Sequence, residues 1–198
     1  RGYEDRLEIY LSDNHSPDDT PEVIERHRTR LASQGVRVRS VRQEKNVGAI
    51  RNIASCIENA DGDYVWTISD DDELKPDAVA RVVQLLERHE NLSLLVLNFS
   101  NRHHNSTERR FDRCFANDGD ELADNGAELF EKYVADPHPS RWGGLALTTA
   151  LVYRSSTARQ ALQSWPEGLD NLTVQLYVTA FCARAGKTLV TEDSFLEM

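Results

Sequence analysis

The chain has 198 residues, 39% of them hydrophobic and 28% charged, which is enough apolar material for one globular core of ordinary size. A net charge of -10 offers no basic surface to nucleic-acid phosphates, so nucleic acid is excluded as a partner, and any phosphate bound must rely on a metal ion or on local backbone amides. No run approaches the ~20 apolar residues of a membrane span and no basic-then-apolar leader opens the chain, so nothing in it marks insertion or secretion.

In chain order, Leu7, Ile9 and Leu11 alternate with Glu8 and Tyr10 and predict a short strand that runs into a polar loop, residues 12–20. Thr20-Pro21-Glu22 starts a helix whose apolar face is Val23, Ile24 and Leu31, with His27 packed at its edge, and Gly35 ends it. Val36, Val38 and Val41 form the next strand. After Asn46-Val47-Gly48 a helix follows, with Ile50, Ile53, Ala54 and Ile57 on one face.

Residues 64–68, Tyr-Val-Trp-Thr-Ile, then read as a buried strand, and Asp70, Asp71 and Asp72 stand at its carboxyl end. In open α/β sheets ligands bind at that end. Three adjacent carboxylates repel one another unless a divalent cation holds them, whereas capping the next helix would need only one. A helix over residues 76–89, with Val79, Val82, Val83 and Leu86 inward, and a strand over 92–99 complete the first half. Strands alternating with helices of this length indicate an α/β fold built of parallel βαβ units.

Residues 101–118 are polar and show neither period, and they read as a surface loop; its adjacent His103 and His104 lack a further ligand at metal-binding spacing. A short amphipathic helix is expected over 125–134. Trp142-Gly143-Gly144 leads to a hydrophobic strand over 145–153, then a Ser-capped helix ends near Trp165-Pro166, and a last helix over 171–184 closes at Gly186. No repeat, linker or low-complexity segment divides the chain, so one domain is expected over 1–198. Cys56, Cys114 and Cys182 are odd in number and widely spaced, which suits reduced, mostly buried thiols in a cytosolic setting better than a disulfide frame or a zinc site.

The polar loop after the first strand, Asn46-Val47-Gly48 with Arg51-Asn52, and Gly62-Asp63-Tyr64 leading to Ser69-Asp70-Asp71-Asp72 occur in the order and spacing of the family 2 glycosyltransferases. The resemblance is strongest to sugar transferases of bacterial surface polysaccharides of the abequosyltransferase type, over about residues 5–100. It implies a GT-A fold, a three-layer α/β/α arrangement with a mostly parallel central sheet. The family's first strand, with its nucleoside-holding loop, has no counterpart before Arg1, which would leave a gap in that sheet. Residues 1–100 would form the nucleotide-sugar half and 101–198 the acceptor half.

The resemblance also implies site residues. Asp13 maps to the acidic residue on the nucleoside; Asn46, Gly48, Arg51 and Asn52 to the segment beside base, ribose and diphosphate; Asp70 to the ribose; Asp71 and Asp72 to a Mg²⁺ or Mn²⁺ ion. A plain helix cap would explain Asn46 equally well but not Arg51 beside it. For the base that deprotonates the acceptor, Glu167, Asp170, Glu192 and Asp193 are candidates, with Asp170 preferred, although it would also serve as a helix cap and the family's spacing to the closing Gly falls nearer Gln175. Trp142 offers a flat face for a sugar ring or lipid-linked acceptor, or alternatively plugs the core.

The activity implied is inverting, metal-dependent hexosyl or deoxyhexosyl transfer from a nucleotide-diphospho-sugar to a glycan or lipid-linked acceptor. It would be cytoplasmic, with peripheral association at the inner face of the membrane left open. Two other classes stay open: an inactive nucleotide-sugar-binding or interaction module, and a Mg²⁺-dependent phosphohydrolase, which would leave Asn46 to Asn52 unexplained.

Overall fold

The computed structural model describes residues 5–102, 108–136 and 143–198. His103, His104 and Trp142 lie outside them.

Two sheets organise the chain. Strand β1 (Glu8–Asp13) pairs in parallel with β2 (Arg37–Arg42) across helix α1 (Thr20–Ala32), and each is the other's only strand partner among the described residues. Their sheet is thinly covered: α1 has no fully buried residue, and His27, expected at the edge of its apolar face, is exposed. Helix α2 (Ala49–Asn59) packs on β1 with the predicted face, Ala54 and Ile57 fully buried and Ile50 and Ile53 against the core.

The second sheet has the order β3-β8-β5-β9-β4, with β6 added to β5 and β7 to β9. It contains β3 (Tyr64–Trp66), β4 (Glu73–Leu74), β5 (Leu92–Arg102), β6 (Arg109–Phe111), β7 (Glu121–Ala123), β8 (Leu151–Arg154) and β9 (Lys187–Glu197). Strands β3, β5 and β9 share one direction, as alternating βα units require. Yet β8 inserts antiparallel between β3 and β5, so most neighbouring pairs are antiparallel and the sheet is mixed. Among the described residues of this sheet only β5 and β9 are hydrogen-bonded in parallel, and β5 is buried along nine consecutive residues, Leu92 to Ser100. A strand covered on both faces reads as a near-continuous apolar run, and this one does apart from Ser93, Asn98 and Ser100.

Helix α3 (Ala78–Arg88) buries Val82, Val83 and Leu85, but Val79, expected inward, is 39% exposed. Helix α4 (Gly126–Val134) is capped by Asn125, whose side chain accepts the Ala127 N–H. Helices α5 (Ser155–Ser164) and α6 (Val174–Ala185) pack on each other, α4 on α6, and α2 on α5. The strand expected over 145–153 is shorter: a 3-10 turn, Thr148–Ala150, precedes β8.

The 101–118 stretch is less of a surface loop than its polarity suggests. It contains β6, and Cys114, Phe115 and Asn117 are buried. Asn98, fully buried on β5, holds them: its Nδ2 donates to Phe115 O at 2.8 Å, and its Oδ1 accepts the Phe115 N–H at 3.0 Å. All three cysteines are free thiols; burial pushes the Cys182 thiol up to about 12, which makes it inert. Among the described residues no helix is long and apolar enough to cross a membrane.

Candidate functional site

The loop after β1 and the loop before α2 are built as one unit. Asn14 Oδ1 accepts the Val47 N–H at 2.9 Å and its Nδ2 donates to Asn46 Oδ1 at 3.1 Å. The same Asn46 oxygen accepts the Gly48 N–H at 2.9 Å, so Asn46 shapes the loop and is not the helix cap. The residue at the cap position is Gly48, whose φ of 86° belongs to the region that favours glycine, and no side chain caps α2. An uncapped helix start with no acidic residue in its first turn favours an anion.

Asn52, one turn further, is committed to the scaffold. Ser12 Oγ donates to its Oδ1 at 2.7 Å and its Nδ2 donates to the Ser12 carbonyl at 3.1 Å. Asp13 is 4% exposed, with Oδ1 accepting the Ser16 N–H at 2.9 Å and Oδ2 3.4 Å from Arg42 Nε. Burial pushes its carboxyl up, but the Ser16 hydrogen bonds and Arg42 outweigh burial and leave it ionised below the usual range.

Arg51 projects from α2 to Asp170, Nη2 to Oδ1 at 2.6 Å, both side chains being substantially exposed. Asp170 ends a 3-10 turn, Pro166–Asp170, and does not cap α6; the residue at that position is Thr173. Gln175 lies in the first turn of α6, is 7% exposed, and has an Oε1 without a hydrogen-bond partner. Its amide cannot take a proton from an acceptor. Of the other acidic candidates, Glu192 pairs with Arg113 and Asp193 with Arg81.

Strand β3 ends earlier than its apolar run suggests. Thr67 is buried, but Ile68 is already 48% exposed and the chain turns outward through Ser69 to Asp72. Helix α3 starts only at Ala78, after β4, so the carboxylates do not cap it. Asp70 and Asp71 face solvent, Ser69 Oγ donates to Asp71 Oδ1, and Asp72 is half-buried. Burial raises the Asp72 carboxyl, partly offset by a hydrogen bond from Thr149 and reinforced by the charge of Asp71. Thr149, from the turn before β8, also accepts the Ser69 N–H at 3.0 Å. Nothing in the local sequence marks it, because the contact spans 80 residues.

Among the described residues no three His, Cys, Asp or Glu side chains converge as a cage for a metal ion. The exposed Asp71 carboxylate, with Asp72 next to it in the chain, fits a Mg²⁺ or Mn²⁺ ion that takes its remaining ligands from oxygens outside the protein.

Fold and strand-end carboxylates together describe an α/β protein of the GT-A type, and residues 1–144 match the family model Glycosyl transferase family 2. The chain belongs to that family. An 88-residue stretch is 32% identical to the abequosyltransferase RfbV of Salmonella typhimurium and covers 44% of this chain and 26% of that one. A crystal structure of S. aureus TarS 1-349 superposes with a TM-score of 0.63 at 14% identity, over 98% of this chain and 51% of that one. The chain thus spans about half of that structure, and the likeness concerns the fold.

Proposed function

We propose that the protein transfers a sugar from a nucleotide-diphospho-sugar to a hydroxyl of a glycan or lipid-linked acceptor, in bacterial surface-polysaccharide synthesis at the inner face of the membrane. The observation that carries this is the uncapped start of α2, held open beside Arg51 by the Asn14–Asn46 contact, in a chain whose β3 ends in outward carboxylates. Similarity to an abequosyltransferase supports the polysaccharide setting.

In this reading Asp13, Asn46 and Gly48 shape the nucleoside end of the site, with Asn52 bracing it through Ser12, and the α2 amides and Arg51 receive the diphosphate. Asp70 faces the ribose, and Asp71, with Asp72 behind it, holds Mg²⁺ or Mn²⁺. When bound, the ion offsets the charge that develops on the departing nucleotide diphosphate. Asp170 takes the proton of the acceptor hydroxyl as it attacks the anomeric carbon, and configuration inverts. In the protein alone Arg51 holds the Asp170 carboxylate at 2.6 Å. The diphosphate, a stronger anion, draws Arg51 away and frees Asp170. Residues 1–100 serve the donor and 101–198 the acceptor, with Trp142 as its platform.

The test is thermal shift against UDP, GDP, CDP and dTDP with and without Mn²⁺. Stabilisation by one nucleotide that deepens with Mn²⁺ is the expected result; silence across the panel would leave an interaction module instead.

A further inference from the structure

We propose that Thr149 is a positioning residue of the donor site: its hydroxyl fixes the Ser69 backbone and, through Ser69, the Asp71 side chain, so that Asp70 and Asp71 are presented outward. The inference rests on the donor-site reading above and concerns a residue about 80 positions away from the turn that it holds.

The argument begins with strand register. β3 and β8 are antiparallel, with Tyr64 opposite Arg154, Val65 opposite Tyr153 and Trp66 opposite Val152. Continued by three residues, that register sets Ser69 opposite Thr149. The main-chain ladder does not reach that far, because residues 148–150 coil into a 3-10 turn. At this position a side chain replaces the missing rung: Thr149 Oγ1, not a carbonyl, accepts the Ser69 N–H at 3.0 Å. The Thr149 carbonyl accepts from Trp66 Nε1 at 2.8 Å, which ties the same turn to the last residue of β3.

Hydroxyl bookkeeping supports a fixed geometry. A threonine has one O–H donor and two acceptor lone pairs. Thr149 is 0% exposed, so water does not compete for them. One lone pair takes the Ser69 N–H, and the hydroxyl also lowers the Asp72 carboxyl against the rise that burial causes. Ser69 passes the constraint on, because its own Oγ donates to Asp71. Thr149 therefore holds Asp71 through Ser69, as an outer partner orients a metal ligand.

Three substitutions test this. Thr149→Val keeps the shape and removes the hydroxyl, Thr149→Ser keeps the hydroxyl, and Thr149→Cys offers a weaker S–H. Two readouts are needed: amide exchange at Ser69 in the protein alone, and the Mn²⁺ concentration that half-saturates the thermal shift with the nucleotide that binds best from the UDP, GDP, CDP and dTDP panel. The expected result is faster Ser69 exchange in Thr149→Val and a half-saturating Mn²⁺ concentration raised about 10- to 100-fold, with metal-free nucleotide binding unchanged. Thr149→Ser should restore both and Thr149→Cys fall between.

Unchanged Mn²⁺ dependence in a folded Thr149→Val protein would overturn the inference. So would a Thr149→Ser protein as impaired as Thr149→Val, since a methyl and not the hydroxyl would then matter. If Thr149→Val does not fold, Thr149→Cys indistinguishable from wild type has the same force. A wild-type protein that binds none of the four nucleotides overturns the functional reading and this inference with it, whereas a wild type that binds beside an unaltered Thr149→Val removes this inference alone.

Discussion

Replacing Asn98 by Leu should cost far more than the loss of one polar side chain. Asn98 is 0% exposed on β5; its Nδ2 donates to Phe115 O at 2.8 Å and Glu192 O at 3.0 Å, and its Oδ1 accepts the N–H groups of Phe115 at 3.0 Å and Phe99 at 3.1 Å. Leucine has the same branched skeleton of four heavy atoms and is somewhat larger, so no cavity forms and the loss comes mainly from the partners left unpaired. Each buried group without a partner costs about 1–3 kcal/mol, and with some relaxation of the 114–117 segment a total of about 4 kcal/mol is expected. That is a large fraction of the ~5–15 kcal/mol that holds a domain together. Urea unfolding followed by circular dichroism should show a lower midpoint at an unchanged slope, and the melting temperature should fall by about 8–16 °C at this chain length. A loss under about 1 kcal/mol would mean that the segment does not depend on Asn98, and the reasoning would fail.

Asp71→Asn should abolish sugar transfer and the Mn²⁺ dependence of nucleotide binding while leaving the fold intact, and it should leave the metal-free melting temperature equal or higher, since it relieves repulsion among adjacent carboxylates; calorimetry with and without Mn²⁺ checks both. Arg51→Ala should weaken nucleotide binding in the thermal-shift panel with little change in the melting temperature of the protein alone, because an exposed ion pair contributes little to stability. The Arg39 hydrogen bond holds the Glu8 carboxyl below its ordinary value of 4.5, against burial, with the Asp61 N–H and the charges of Arg39 and Arg37 assisting. A depressed carboxyl stabilises the fold above its unfolded value and loses that contribution as pH falls through the folded value. Glu8→Gln should therefore be less stable at neutral pH and show a shallower loss than wild type between pH 4.5 and lower values, as read from urea midpoints across that range.

Local sequence was sufficient for α1 to α3 and for β1 to β3, though not for the two-residue β4. The apolar spacing of Ile50, Ile53, Ala54 and Ile57 specifies which face of α2 is buried, and the largely apolar run from Leu92 to Phe99 marks a strand covered on both sides. The order of Asp70 to Asp72 after Asn46-Val47-Gly48 announced the family.

What only tertiary structure decided involves residues far apart in the chain. Strand β9, eleven residues long, was not legible, because Thr191-Glu192-Asp193-Ser194 interrupts its apolar pattern and only pairing with β5 through register shifts makes those residues part of a strand. The burial of Phe115 depends on Asn98, and the Arg51–Asp170 pair joins residues 119 apart. The hydrogen bond of Ser69 to Thr149 depends on where β8 enters the sheet. Periodicity reports the face that a segment shows to the core, which is a local property. The partner that a polar side chain finds depends on which strand lies beside it, and that is settled only when the sheet closes.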